Sequence, residues 1–359
     1  MHIPFCKSKC TYCDFLSFSG MENAYAQYVT VLLDEIRASD IKSITSVYIG
    51  GGTPTALPAC LMQDLLSCIA GLPLQSRSEV SIEVNPGTLT KDYLQLLISN
   101  GVNRLSFGLQ TTCDCLLSSI RRIHTFEQFL DNYRAASEHG FDNINIDLMF
   151  GLPGQTLVSF KDTLSKILTL EPQHISFYSL SICEDTPLWN DLSAGRVLLP
   201  CDDVDRNMYH FASKFLSDNG YLHYEISNAA KPGYECAHNV DCWQHKPYIG
   251  FGLGAHSFDG QRRWSNQSSF SGYFSRVKPD VVLLSNEELI SEAMILGLRM
   301  LGGVDELLFM SKHGVKPSLF FEVQIRRLIV DGLLQCDNNR IRLTPLGLDL
   351  ANQVFMQFL

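Results

Sequence analysis

His2-Ile3-Pro4-Phe5-Cys6-Lys7-Ser8-Lys9-Cys10-Thr11-Tyr12-Cys13-Asp14-Phe15 puts three cysteines, spaced Cys-x3-Cys-x2-Cys, at the head of the chain. That spacing gathers three soft thiolates in one short loop. Three thiolates can hold three irons of a 4Fe–4S cube and leave the fourth iron open to a small molecule, which suits chemistry better than electron storage. Two plainer readings stand beside it. One is a zinc site with His2 as fourth ligand, although closed zinc sites usually pair two separated ligand knuckles. The other is that the cysteines are ordinary small buried residues.

Outward from this loop, residues 41–230 alternate short apolar strands with helical patterns. Strands are expected at Thr45–Ile49, Val80–Val84, Arg104–Gly108, Asn143–Phe150, His174–Leu180 and Leu222–Ile226, each bounded by Gly, Pro, Asn or Ser. Helices are expected near 58–71, 90–99, 125–139, 156–170 and 203–219. Phe126, Phe129, Leu130 and Tyr133 carry the spacing of an amphipathic face. Repeated strand–helix units imply an α/β fold with a parallel sheet, open or curled into a barrel. Chemistry-bearing residues recur at strand ends: Gly50-Gly51-Gly52-Thr53 after Val47-Tyr48-Ile49, Glu83, Gln110, and Asp147 within its strand. The C-terminal ends of parallel strands open on one face, where such folds place their sites. The glycine run lacks both the P-loop Lys-Ser/Thr and the dinucleotide Gly-x-Gly-x-x-Gly spacing, so alone it also reads as a tight structural turn.

After residue 227 the alternation breaks at Lys231-Pro232-Gly233, and 234–260 is rich in Gly, His and aromatics. A new helical unit starts near Asn286, another helix near 318–331, then strands Leu333–Cys336 and Arg340–Leu343 around an Asp337-Asn338-Asn339 turn, and a final helix after Pro345. This resembles a small winged-helix module. It is not strongly basic, which favours a structural lid over nucleic-acid binding. The 359 residues suffice for one large α/β domain and a smaller one, and the net charge of −10 argues against a dedicated nucleic-acid binder. No apolar run is long enough for a membrane span. Twelve cysteines without a secretory pattern fit a reducing, cytoplasmic setting.

Tyr12 before the last cysteine, Gly51-Gly52-Thr53-Pro54-Thr55, Glu83-Val84-Asn85-Pro86 and Gly151-Leu152-Pro153-Gly154-Gln155-Thr156 complete a resemblance. The chain resembles the radical S-adenosylmethionine superfamily, and within it the oxygen-independent coproporphyrinogen III oxidase family, over nearly its whole length. The resemblance implies a partial (β/α)6 barrel with a small C-terminal helical, winged-helix-like module. It divides the chain into a barrel core (1–230), a connecting region (231–280) and a HemN C-terminal-like domain (281–359). It implies a 4Fe–4S cluster on Cys6, Cys10 and Cys13. It further implies S-adenosylmethionine contacts from Tyr12, Gly51, Gly52, Thr53, Glu83, Gln110, Arg122 and Asp147. Such a site would cleave the sulfonium C–S bond with a low-potential electron, the protein supplying orientation and exclusion of water.

Within that family the heme-chaperone (HemW) branch matches better than the oxidase branch. The oxidase pattern has a further Cys where this chain has Phe15, an N-terminal extension, and a Tyr ahead of His2. His238-Asn239-Val240-Asp241-Cys242-Trp243 resembles that branch's His-Asn-x-x-Tyr-Trp motif, with Cys242 in place of Tyr; the resemblance makes His238 a heme ligand. A loop histidine without a ligand role, or zinc on Cys236, His238, Cys242 and His245, are the competing readings. The expected function is a heme chaperone holding heme, the cluster and S-adenosylmethionine and transferring heme to an acceptor protein, with an electron donor as a second partner. The alternative is the oxidase, converting propionates to vinyls. Arg104, Arg121 and Arg122 would serve the carboxylates of either porphyrin. Such barrels carry a strand before the cysteine loop, and Met1–Phe5 offers little room for it. The loop is therefore expected to be weakly anchored, with lower cluster occupancy than in a form extended upstream.

Overall fold

The computed structural model describes residues 1–359. Six parallel strands form the heart of the molecule: β1 (His2–Ile3), β2 (Ile44–Gly51), β3 (Leu74–Val84), β4 (Arg104–Gln110), β5 (Ile144–Phe150) and β6 (His174–Ser179). They lie side by side in chain order. An antiparallel hairpin, β7 (Leu222–Glu225) and β8 (Asn228–Ala230), extends the sheet past β6. Helices Ala59–Ala70, Lys91–Ser99, Phe126–Glu138, Leu157–Leu168 and Asp202–Asp218 pack outside, as the alternation implies. β4 is buried at every residue, with Leu105, Phe107 and Leu109 alternating with Arg104, Ser106, Gly108 and Gln110. Thr125 with Gln128 and Thr156 with Ser159 close capping boxes that start their helices where the strand-to-helix turns end.

The strand before the cysteine loop exists. His2 pairs with Gly50 and Ile3 with Gly51 in parallel register. Phe5–Cys6 then pairs with Phe18–Ser19, so both ends of the loop are tied. Phe5 is fully buried, against Tyr25 at 4.4 Å and Tyr28 at 5.1 Å between ring centroids. Burying one such side chain contributes about 1.5–3 kcal/mol. The expectation of a weakly anchored loop is therefore corrected: two residues of strand suffice because the next apolar side chain enters the core.

A helix over Tyr25–Arg37 precedes β2 and buries Tyr25, Tyr28, Val29, Leu32, Leu33 and Ile36. The segment 251–274 returns to the same core, with Phe251, Leu253 and Tyr273 among its buried members and Phe270 stacked 6.0 Å from Phe5. A separate core, from Ile290 to Phe358, holds the C-terminal module together. That module contains helices Asn286–Gly297, Glu306–His313 and Glu322–Val330 and the hairpin Leu334–Asp337 with Arg340–Leu343. Val304–Asp305 adds a third strand beside Arg340–Ile341. Asn338 and Asn339 both take positive φ, the geometry of a tight two-residue hairpin turn. The helix expected near 318–331 is broken at Phe321, and the last one at Leu350. The module meets the barrel through Ile226, whose amide donates to the Arg299 carbonyl at 3.1 Å.

Candidate functional site

Parallel strands of this order present their C-terminal ends to one mouth, and the three cysteines are folded across it. Cys6, Cys10 and Cys13 line a cavity of about 530 Å³ together with Tyr12, Gly51, Gly52, Thr53, Glu83, Gln110, Arg122 and Asp147. The cysteines and all eight residues expected to contact S-adenosylmethionine thus meet in one place. The loop is held from outside by two backbone bonds: Thr11 donates to Ile120 and Leu188 donates to Thr11.

The thiols fit a cube-type cluster. All three face the cavity, yet no group of three His, Cys, Asp or Glu closes on a point that would hold a single ion. Three thiols lining one cavity are the donor set that would hold a cube-type cluster with one iron left open. Burial pushes the Cys6 and Cys13 thiols up, while donors approach the sulfurs: Thr53 Oγ1 lies 3.7 Å from Cys6 Sγ and Arg122 Nη1 3.6 Å from Cys10 Sγ. Such donors stabilise thiolates. The buried Arg122 Nε has no partner. The first zinc reading does not fit, because His2 Nε2 is turned to the Leu16 carbonyl at 2.9 Å.

The glycine run serves the protein's own backbone first. A Cβ on Gly52 would sit 2.6 Å from the Phe5 carbonyl oxygen, and Gly51 has φ +116° with the His2 ring 2.9 Å from where its Cβ would be. Only glycine lets β1 and the cysteine loop lie this close to β2. Glu83 then spans the end of β2: its Oε2 accepts from the Gly51 amide at 3.0 Å and its Oε1 from the Tyr48 hydroxyl at 2.9 Å. Burial pushes the Glu83 carboxyl up to about 7; the Gly51 amide opposes the shift and neighbouring Asp147 adds to it. Such a group is poised to ionise when a cation enters.

Asn85 ties the opposite wall. Its Nδ2 donates to Thr53 Oγ1 at 2.6 Å, and its Oδ1 accepts from Arg122 Nη2 at 2.6 Å. Arg122 also donates to the Gly108 carbonyl. Gln110 has φ +76°, uncommon for a non-glycine and found where the β4–β5 register shifts; its Oε1 accepts from the Tyr178 hydroxyl at 3.2 Å. Asp147 is held by Asn145 Nδ2 at 2.7 Å, and burial raises its carboxyl. Tyr48, Asn85, Tyr178 and Asn239 also line the cavity and were not picked out from sequence. Asn85 lies inside the quoted Glu83-Val84-Asn85-Pro86 motif, so that signal was in hand; Tyr48 and Tyr178 carried none.

His238 lies elsewhere. It faces a second chamber of about 900 Å³, between the outer edge of β2 and the segment 238–259. Its ring stacks on Tyr48 with centroids 5.0 Å apart, and burial pushes its imidazole down to about 4, so it is neutral. Glu79 seats the short helix Ala237–Trp243 by accepting the Ala237 amide at 3.0 Å. The second zinc set does not assemble: Cys236 Sγ faces Glu79 and His245 pairs with Glu292, leaving only His238 and Cys242 together, 3.9 Å apart. Of the three arginines, Arg122 lines the first cavity and Arg121 a small side cleft. Arg104 is buried beside Glu79, 4.0 Å away, and lines neither chamber.

The Radical SAM superfamily model matches residues 1–167, and the HemN C-terminal domain model matches residues 284–350. The chain is 37% identical to the heme chaperone HemW of Lactococcus lactis subsp. lactis (strain IL1403), covering 100% of this chain and 96% of the relative. It is 36% identical to the heme chaperone HemW of Bacillus subtilis (strain 168), covering 100% and 98%. Among solved structures, coproporphyrinogen III oxidase (HemN) from Escherichia coli, a radical SAM enzyme, superposes with a TM-score of 0.86 at 25% identity, over 99% of this chain and 88% of that one.

Proposed function

The chain belongs to the HemW family of the radical SAM superfamily, and on that footing we propose that it is a heme chaperone, binding heme through His238 and passing it to an acceptor protein. The observation that carries this reading is a neutral imidazole at the wall of a large chamber beside the three-cysteine cavity. Neutral imidazole is the form that ligates heme iron.

The first cavity would hold the cluster and S-adenosylmethionine. Cys6, Cys10 and Cys13 would supply the iron ligands, with Tyr12 packed beside them. Glu83 would take the ligand's ammonium group, and the Gly51–Thr53 edge would run along its methionine part. Gln110, Arg122 and Asp147 would meet the remaining polar groups. Together the two cofactors supply one-electron chemistry when bound. In the same reading the chain divides into a barrel core (1–230), a connecting region (231–280) and a C-terminal domain (281–359). It acts in the cytoplasm, consistent with twelve free thiols. Its protein partners are a heme acceptor and a low-potential electron donor.

The fold match to coproporphyrinogen III oxidase gives the second reading, an oxidative decarboxylase of propionates. Phe15 weighs against it: the oxidase pattern has a cysteine at this place, whereas here an exposed phenyl stands at the cavity mouth. Titrating ferric heme into the anaerobically reconstituted protein tests the chaperone. The expected result is a stoichiometric Soret shift that is lost in His238→Ala. An unchanged Soret titration in that variant would refute His238 as ligand.

A further inference from the structure

The two chambers share a wall. Tyr48 lines both, and the His238-Asn239 pair is split across the partition, with Asn239 facing the cysteine cavity and His238 the second chamber. On one side the Tyr48 hydroxyl donates to Glu83 Oε1; on the other its ring backs the His238 imidazole with planes 23° apart. Glu79 accepts the Ala237 and His238 amides and so seats the first turn of the His238 helix on the sheet, with the imidazole packed against Tyr48.

The second chamber suits a planar macrocycle. Its volume, about 900 Å³, is in the range of about 300–1,000 Å³ that takes cofactor-sized ligands. Tyr48, Tyr248, Phe251 and Phe258 give it aromatic walls, and Lys42 and Lys246 stand at its rim. Both lysines sit in surface ion pairs, with Asp40 and Asp241, and such pairs are weak enough to exchange for ligand carboxylates. His238 and Cys242 project from the same face one helical turn apart, so they can reach only one face of a bound ring.

We propose that this chamber is the porphyrin site, and that Tyr48 is a positioning residue through which occupancy of the cysteine cavity by S-adenosylmethionine tightens heme binding. The proposal rests on the heme-chaperone reading. An ammonium group at Glu83 keeps the carboxylate ionised, and an ionised acceptor holds the Tyr48 hydroxyl more strongly. The ring is then fixed behind His238, and the imidazole no longer has to be ordered when heme arrives. Linkage makes the effect reciprocal: heme tightens S-adenosylmethionine binding by the same factor.

The test uses the full chain with its cluster reconstituted anaerobically. Ferric heme is titrated with and without saturating S-adenosylmethionine, whose own binding is followed by equilibrium dialysis with and without heme. Both affinities are expected to rise by about fivefold or more, the lower end of typical coupling between sites. In Tyr48→Phe heme affinity is measured afresh with and without S-adenosylmethionine, and the factor between the two falls to about one. A factor of one in the unsubstituted protein, or the same factor in Tyr48→Phe, overturns the relay and leaves the chaperone reading standing. Heme binding that is blocked by Phe258→Trp but not by His238→Ala keeps the chamber and overturns the ligand. Failure of the unsubstituted protein to bind heme at all overturns both this proposal and the function it rests on.

Discussion

Replacing Glu83 with Gln removes the charge and keeps the shape; the remaining oxygen can still accept from the Gly51 amide, and the new amide can donate to the Tyr48 oxygen. The wild-type carboxyl is raised from 4.5 to about 7, chiefly by burial. Ionising it in the native state therefore costs about 3 kcal/mol, at roughly 1.4 kcal/mol per tenfold change in proton affinity. This is an upper value, since Glu83 borders the cavity and keeps some solvent contact. The folded pKa lies above the unfolded one, so the folded state binds the extra proton between pH 4.5 and about 7. The penalty is absent below that window, grows through it and is complete above about 7. Wild-type stability should thus fall relative to Glu83→Gln by up to about 3 kcal/mol between pH 4.5 and 8. Guanidinium unfolding of both proteins, without cofactors and under reductant, measures the difference. The same substitution should weaken S-adenosylmethionine binding about 10- to 100-fold at pH 8, the worth of a hydrogen bond to a charged group. Wild-type affinity is expected to fall as pH drops below about 7, and the substitution should abolish that fall. Parallel stability profiles for the two proteins would refute the burial argument.

Three further substitutions probe the frame. Gly52→Ala puts a Cβ 2.6 Å from the Phe5 carbonyl oxygen and should displace the cysteine loop, seen as loss of iron and sulfide on reconstitution; full cluster content would contradict it. Asn85→Ala breaks the ties to Thr53 and Arg122 and should lower S-adenosylmethionine affinity by about tenfold, with cluster content retained, by dialysis and iron assay. Glu79→Ala leaves the buried Arg104 without its carboxylate and frees the His238 helix. It should destabilise the fold by about 3–5 kcal/mol in denaturant titration and weaken heme binding, whereas Arg340→Ala in the C-terminal hairpin should leave heme binding unaltered.

The barrel was legible because short segments between turn residues carry apolar side chains at every second position: Leu105, Phe107 and Leu109 in Arg104–Gln110, and Ile144, Ile146 and Leu148 in Ile144–Phe150. The convergence of Cys6, Gly51, Thr53, Glu83, Gln110 and Asp147 followed from strand order alone, since parallel strands bring their ends to one mouth. The helix Tyr25–Arg37 was legible too, in the helical spacing of Tyr25, Tyr28, Val29, Leu32, Leu33 and Ile36, but went unread. Other features depend on contacts across the chain. Phe270 and Tyr273 complete the core around Phe5 and Tyr28 from more than 200 residues away, which no local pattern announces. The partition by Tyr48 is of the same kind, because β2 residues alternate sides and only the packing of 237–243 against that strand puts Tyr48 between two chambers.

The central claim is that this barrel carries heme and does not convert a porphyrinogen. One anaerobically reconstituted preparation should be split in two. One portion receives ferric heme and is followed at the Soret band. The other receives coproporphyrinogen III, S-adenosylmethionine and strong reductant and is assayed for protoporphyrinogen IX. The account predicts stoichiometric heme binding that depends on His238, and no product. Product formation without heme binding would contradict it and establish the oxidase, with Phe15 compatible with that reaction.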